Sequence, residues 1–166
     1  MKTLLLIRHA KSSWDFSQLS DFDRPLNKRG VRNAAEMASR FAQTGIAIDS
    51  FVSSPANRAI TTARLFVTAL GKDENLLVTR PELYEAEASV FPEIIRSLDN
   101  HSRVVAIFAH NPGLTDFANS FGLPTIDNLP TCGIFALKIN TEDWAHFENA
   151  PKELLFFDFP KNRLAD

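Results

Sequence analysis

Apolar and polar positions along this chain switch between two periods. Residues 3–8 (TLLLIR) are apolar without a break until a cation ends the run, the pattern of a strand buried on both faces. Residues 9–27 have no period and carry the turn formers Ser17, Ser20, Asp21, Asp23 and Pro25, so they read as a loop. From Asn27, an N-cap residue, Val31, Ala34, Ala35, Ala38, Phe41 and Ala42 recur at helical spacing until Gly45 stops them. A strand is predicted at 48–53. Ser54 as N-cap and Pro55 at the first helical position then start a helix that runs to Leu70 and ends at Gly71. Residues 75–80 predict a short edge strand, and 89–98 a helix with Pro92 in its first turn. RVVAIFAH at 103–110 is the strongest buried-strand signal, and Asn111-Pro112 repeats the Ser54-Pro55 helix start. Two late strands, 133–140 and 153–159, have no helical pattern between them, which leaves room for an antiparallel pairing. Strands alternating with helices predict a three-layer α/β/α fold with a mainly parallel central sheet, in one domain spanning 1–166.

Composition narrows the partners. The chain is 45% hydrophobic and 23% charged with net charge −2, which argues against nucleic acid and against an anionic membrane. Cys132 is the only cysteine, so an intramolecular disulfide and a cysteine-rich metal site are excluded and a reducing compartment fits. The first apolar run is too short for a leader, and no segment is long enough to span a bilayer; the expected location is cytoplasmic. The fourteen phenylalanines, several in LLFFDFP, read as core, with both faces of that last strand buried.

Candidate chemistry sits at the strand ends, outside which open α/β sheets bind their ligands. The first strand ends in Arg8-His9, the second leads to Arg58 in the first turn of a helix, and the 103–109 strand ends in His110. Taken singly, each has an ordinary reading as a surface histidine, a solvated arginine or a plain cap, and His101 and His146 are read that way. If the three strands are parallel and adjacent, two histidines, two arginines and two helix N-termini converge on one crevice. That set suits a phosphoryl group, whose oxygens match guanidinium forks.

RHAKS at 8–12, SSPANRAITTA at 53–63 and AHNPGL at 109–114 resemble, in order and spacing, three signature segments of the histidine phosphatase superfamily, the phosphoglycerate mutase-like fold. FDRPLNKRG at 22–30 and LPTCGI at 129–134 are similar to its SixA-like phosphohistidine phosphatase branch. Ala10 departs from the family's usual glycine after the histidine, which excludes a freely positive φ there. The resemblance implies that His9 is the nucleophile and forms a phosphohistidine intermediate. Arg8 and Arg58 would hold the phosphoryl oxygens, with His110 as a third donor, cationic when phosphate is bound. Nearby cations are expected to lower the pKa of His9. Arg24, in the RPL segment, is either a further phosphate ligand or a loop arginine paired with Asp21 or Asp23. Ser12 is a candidate phosphate contact, and Lys11 is expected to face solvent.

Glu85 stands in the register of the family's general acid, with Glu82 and Glu87 as competitors; a phosphohistidine needs such an acid less than an ester does. No metal and no cofactor are implied, since arginines and histidines supply the charge. The short span between Arg58 and His110 leaves little chain for a lid over the crevice. An open site suits phosphohistidine on a protein, a phosphotransfer domain among the candidates. The alternatives are a phosphomonoesterase acting on a small phosphate ester or metabolite, a mutase, and a non-catalytic phosphate-binding module.

Overall fold

A computed structural model describes residues 1–162. In chain order the elements are β1 (Lys2–Arg8), α1 (Lys28–Ala42), β2 (Ser50–Ser53), α2 (Asn57–Ala69), β3 (Leu77–Thr79), α3 (Val90–Arg96), β4 (Val104–Ala109), α4 (Gly113–Ala118), β5 (Ile134–Ile139) and β6 (Lys152–Asp158). The strands form one sheet in the order β3-β2-β4-β1-β5-β6. Its first four strands are mutually parallel, while β5 runs antiparallel to β1 and β6 antiparallel to β5. The expected mainly parallel sheet is therefore a mixed one with a parallel majority.

Sequence explains why β1 lies inside. Leu4 and Leu6 face one apolar cluster with Phe91, Ile95, Leu114, Phe117, Trp144 and Phe147, whereas Leu5 and Ile7 face another with Ala34, Ala38, Phe41 and Phe66. Helices α1 and α2 cover one face of the sheet, and α3, α4 and a 3₁₀ turn over Trp144–Asn149 cover the other. An apolar run without alternation is what a strand packed on both faces requires. Among the described residues no helix is long and apolar enough to cross a membrane.

Several expectations shift on the coordinates. Asn27 caps α1 as read, its Oδ1 accepting from the Gly30 N–H at 2.7 Å, but Val31 faces solvent while Met37 takes a core position. Helix α2 starts later than expected, with Ala56 at its N-cap; the Ser54 hydroxyl accepts from the Ala56 N–H at 3.2 Å and is otherwise engaged at the site described below. Asn111 lies one residue outside the start of α4 and holds that helix through Thr115, whose N–H and hydroxyl both donate to Asn111 Oδ1. Strand β6 is an edge strand with alternating burial, so LLFFDFP is covered less evenly than its composition suggests. Leu155 is exposed, and Phe156 and Phe157 pack against opposite cores. His101 and His146 are exposed, as expected.

Candidate active site

The sheet register brings the loaded strand ends together. Arg8 pairs with Ala109 across β1 and β4, and Ser53 with Phe108 across β2 and β4, so residues 8–9, 54 and 110 leave three neighbouring strands at one level. His9 donates its backbone N–H to Ala109 O at 3.2 Å, and Cys132 donates its own to both Arg8 O and His9 O at 3.0 Å. Cys132 does so at φ +59°, a left-handed conformation held by its buried setting. The two imidazoles lie with centroids 5.3 Å apart and exposures of only 7% for His9 and 5% for His110.

Each imidazole has one nitrogen fixed by the protein. His9 Nδ1 lies 2.8 Å from Ala10 O; a carbonyl only accepts, so Nδ1 carries the proton and Nε2 presents a lone pair. Ala10 is in turn held by Thr62, whose hydroxyl accepts from the Ala10 N–H at 3.0 Å and donates to Arg58 O at 2.7 Å. Ala10 is fully buried and does not take a positive φ, so alanine fits where glycine is usual. His110 Nε2 pairs with the Ser54 hydroxyl at 2.7 Å, while its Nδ1 is buried without a protein partner. Burial, assisted by neighbouring charges, pushes His9 down to about 3, and burial and Arg58 push His110 down to about 4, so both rings are neutral near pH 7. The cations act on His9 in the expected direction, but burial is the larger cause.

Arg8 and Arg58 lie close enough to act on both imidazoles, Arg24 joins Arg58 through Asp21, and each of the three is tied at its tip. Arg8 Nη1 donates to Leu129 O at 3.1 Å. Arg58 donates through Nη1 to Asp21 O at 2.7 Å and through Nη2 to Asp21 Oδ2 at 3.0 Å. Arg24 donates to the Ser12 hydroxyl at 2.5 Å and to Asp21 Oδ1 at 3.2 Å, with its guanidinium 3.7 Å from the centre of the Trp14 ring. Of the two readings of Arg24, the pairing with a loop aspartate is the one seen, and through Asp21 it links Arg24 to Arg58. Each of the three keeps a buried Nε with no protein partner. With His110 Nδ1, they make up four of the five such buried atoms among the described residues. Buried donors are normally satisfied, so this concentration makes the crevice a candidate site for an anion. Burial and the nearby Arg58 lower the pKa of Arg8.

One carboxylate faces these cations. Asp21 also accepts from the Tyr84 hydroxyl at 2.6 Å, and that hydrogen bond, with those from the arginines, holds the carboxyl down to about 2. The same bond pushes the Tyr84 phenol up to about 12. The Tyr84 ring stacks on Phe22 and lies 5.7 Å from His110.

Other candidates lie further out. Ser12 is buried and bridges to Leu26. Lys11 is half-buried and its side chain makes no hydrogen bond to the cluster among the described residues. Glu85 is exposed at φ +54° and lines a depression of about 460 Å³ with Glu87, Pro112 and Asp116; it hydrogen-bonds to none of the imidazoles or arginines described. Glu82 pairs with Arg80 at 3.1 Å, away from the cluster. Of the two helix starts expected at the crevice, α4 spans only six residues, so any sizeable dipole comes from α2. Sequence reasoning passed over Tyr84 and Thr62, and read Ser54 as a cap alone.

Comparison with known proteins places this geometry in a family. The model of the histidine phosphatase superfamily (branch 1) matches residues 4–112. An uncharacterised chloroplastic protein of Arabidopsis thaliana is 41% identical over 63 residues, 38% of this chain and only 29% of that protein's length. A solved structure from Agrobacterium tumefaciens, proposed to be the phosphohistidine phosphatase SixA, superposes with TM-score 0.77 at 26% identity, covering 94% of this chain and 96% of that one. A protein histidine phosphatase SixA complexed with tungstate superposes with TM-score 0.81 at 20% identity, covering 96% and 98%, and shares the fold.

Proposed function

The chain belongs to the histidine phosphatase superfamily, and from that premise we propose that it is a phosphatase removing the phosphoryl group from phosphohistidine in a protein, by way of a covalent intermediate on His9. The observation that carries the reading is the surplus of cations around two neutral imidazoles: three guanidiniums against the single carboxylate of Asp21. In the proposed reaction the His9 Nε2 lone pair attacks phosphorus in line. The N–P bond of the substrate breaks as the new one forms, and a substrate histidine whose other ring nitrogen already carries a proton leaves as neutral imidazole, with no proton needed from the enzyme. Water then attacks the phosphorylated His9, the N–P bond returns its electrons to Nε2, and dihydrogen phosphate departs. Arg8, Arg24, Arg58 and His110 hold the phosphoryl oxygens through these steps, with Ser12 supporting Arg24. Their fixed charge supports a reaction without a metal. Glu85 is proposed as the acid only for ester substrates.

A protein substrate is supported by the rim. Trp14 (73% exposed) and Phe16 (52%), with Leu19 and Phe22, present apolar surface on the loop that carries Asp21. Such a patch fits a partner that presents the phosphorylated side chain from apolar surroundings, as a phosphotransfer domain would. A panel comparing a phosphohistidine protein, sugar phosphates and an aryl phosphate, with and without chelator, tests the reading. Phosphohistidine is expected to lead the sugar phosphates in kcat/KM by about a hundredfold, chelator to change nothing, and His9→Ala to abolish turnover. A sugar phosphate leading the panel would overturn the substrate class; oxoanion binding without any turnover would reduce the site to a binding module.

A further inference from the structure

Asp21 touches more of the cluster than any other residue, yet it carries the wrong charge to bind a phosphoryl group. Its side chain meets Arg24, Arg58 and Tyr84, and its backbone carbonyl meets Arg58 again. A carboxylate in that position either occupies the place of the substrate's oxygens or braces the groups that hold them. Three observations favour the brace. Asp21 takes only Nη atoms, and the Nε of both arginines stays unpaired. One of its two bonds to Arg58 is accepted by the main chain, so turning the Asp21 side chain does not release it. Its 3₁₀ turn, Asp21–Asp23, is itself pinned: Ser20 Oγ accepts from the Asp23 N–H at 3.3 Å, and Asn57 Nδ2 donates to Asp23 O at 3.1 Å.

We propose that Asp21 is a positioning residue for the phosphoryl clamp, holding the tips of Arg24 and Arg58 so that their Nε edges face the incoming oxygens, with Tyr84 latching its carboxylate from the opposite loop. The inference rests on the phosphatase reading for the identity of the phosphoryl group, but not for oxoanion binding itself. Arginine loses much rotamer freedom when it is immobilised, and a brace that imposes this loss during folding leaves less of it to binding. The latch spans two loops: Tyr84 follows Leu83 in the segment before α3, and its ring stacks on Phe22, next to Asp21.

The test uses inorganic phosphate and tungstate as probes on the full chain, by calorimetry, beside kcat/KM on phosphohistidine. Asp21→Ala is expected to weaken oxoanion binding about tenfold, through lost preorganisation, and to lower kcat/KM at least as much. Binding that is unchanged or tighter would overturn the proposal, since relief of a competing carboxylate predicts tightening. Tyr84 is the only tyrosine of the chain, so phenolate absorbance reads the latch directly. It is expected to titrate near 12 in the parent protein and close to the ordinary value of about 10 in Asp21→Ala. An unmoved titration in a folded variant would also count against the brace. Tyr84→Phe removes the latch and leaves both arginine contacts, so it guards against a folding artefact: about a threefold loss of oxoanion affinity is expected, and no loss would sink the latch. If the parent protein binds phosphate but leaves phosphohistidine intact, the functional reading fails and this one stands. If Asp21→Ala binds phosphate as the parent does while phosphohistidine is hydrolysed, the reverse holds.

Discussion

Among the described residues, two regions hold arginines with a buried, unpartnered Nε: the flank between α1 and β6, with Arg40, and the strand-tip crevice, with Arg8, Arg24 and Arg58. Arg40 meets the carboxylates of Glu36 and Asp158 and the main-chain carbonyls of Phe159, Pro160 and Asn162. Its charge is more than balanced, and its hydrogen bonds staple the last strand to the first helix. In the crevice the ratio is reversed, three guanidiniums to one carboxylate, and two neutral imidazoles add no negative charge. Burial alone therefore does not separate a structural arginine from a candidate anion ligand; the local count of charges does.

The sharpest way to break this comparison is to delete one arginine from each region. Arg58→Ala is expected to cut kcat/KM by about 10²–10³-fold, the usual cost of losing one charged donor to a transition state. Arg40→Ala is expected to lose stability, roughly 1–3 kcal/mol from its severed hydrogen bonds, and to keep kcat/KM within about twofold of the parent, since it touches nothing near the reacting atoms. Equal losses of activity in the two variants would erase the distinction. Steady-state kinetics and thermal melts on both proteins provide the check.

Protonation sharpens the comparison from the other side, because neutral imidazoles leave the arginines as the site's only fixed cations. A pH profile of kcat/KM, taken with a substrate whose phosphoryl group does not titrate between pH 5 and 8, is expected to lack an acid limb near 6.5 and to fall only toward the low values of His9 and His110, about 3 and about 4. Stability follows the same sign. An unfolded histidine takes its proton near 6.5, the folded ones well below, so the unfolded state binds more protons in between and the fold weakens as pH falls through that window. Asp21, lowered to about 2, adds a further loss below the ordinary carboxyl range. Urea midpoints that rise on acidification from pH 7 to 5 would contradict the burial argument.

A smaller loss of activity than that of Arg58→Ala is expected from Ser54→Ala. It frees His110 Nε2 while every guanidinium stays in place, and a loss of about three- to tenfold in kcat/KM is expected from an imidazole no longer anchored. A larger loss than Arg58→Ala would mean that imidazole placement outweighs charge.

What the sequence revealed followed from range. The apolar runs at 3–8 and 103–109 announced buried strands because both faces are covered, and strand-end rules then put Arg8-His9 and His110 on one side of the sheet. Asn27 and Gly45 marked the ends of α1 through purely local chemistry. The pairing of Arg24 with Asp21 was legible because the two are close in the chain. The Tyr84 contact was invisible for the opposite reason: Tyr84 and Asp21 stand 63 positions apart, and no period or motif links them. Ser54 was read as a helix cap because its sequence context is that of one, whereas its partner is decided by β2 lying beside β4. Antiparallel β5 fell between the two cases. The missing helix before β6 hinted at it, but only the coordinates give its place against β1.

That place has a consequence for shortened forms of the chain. The strand that presents His9 is the seam of the sheet, with parallel β4 on one flank and antiparallel β5 on the other. Proteolytic loss of everything from Ile134 onward would strip one flank and expose a row of amide and carbonyl groups along a strand whose centre, Leu4 to Ile7, is apolar throughout. Such an edge is a template for sticking to other chains. A nicked product would then precipitate rather than survive as a weakened catalyst, and the terminal hairpin guards solubility as much as it guards shape.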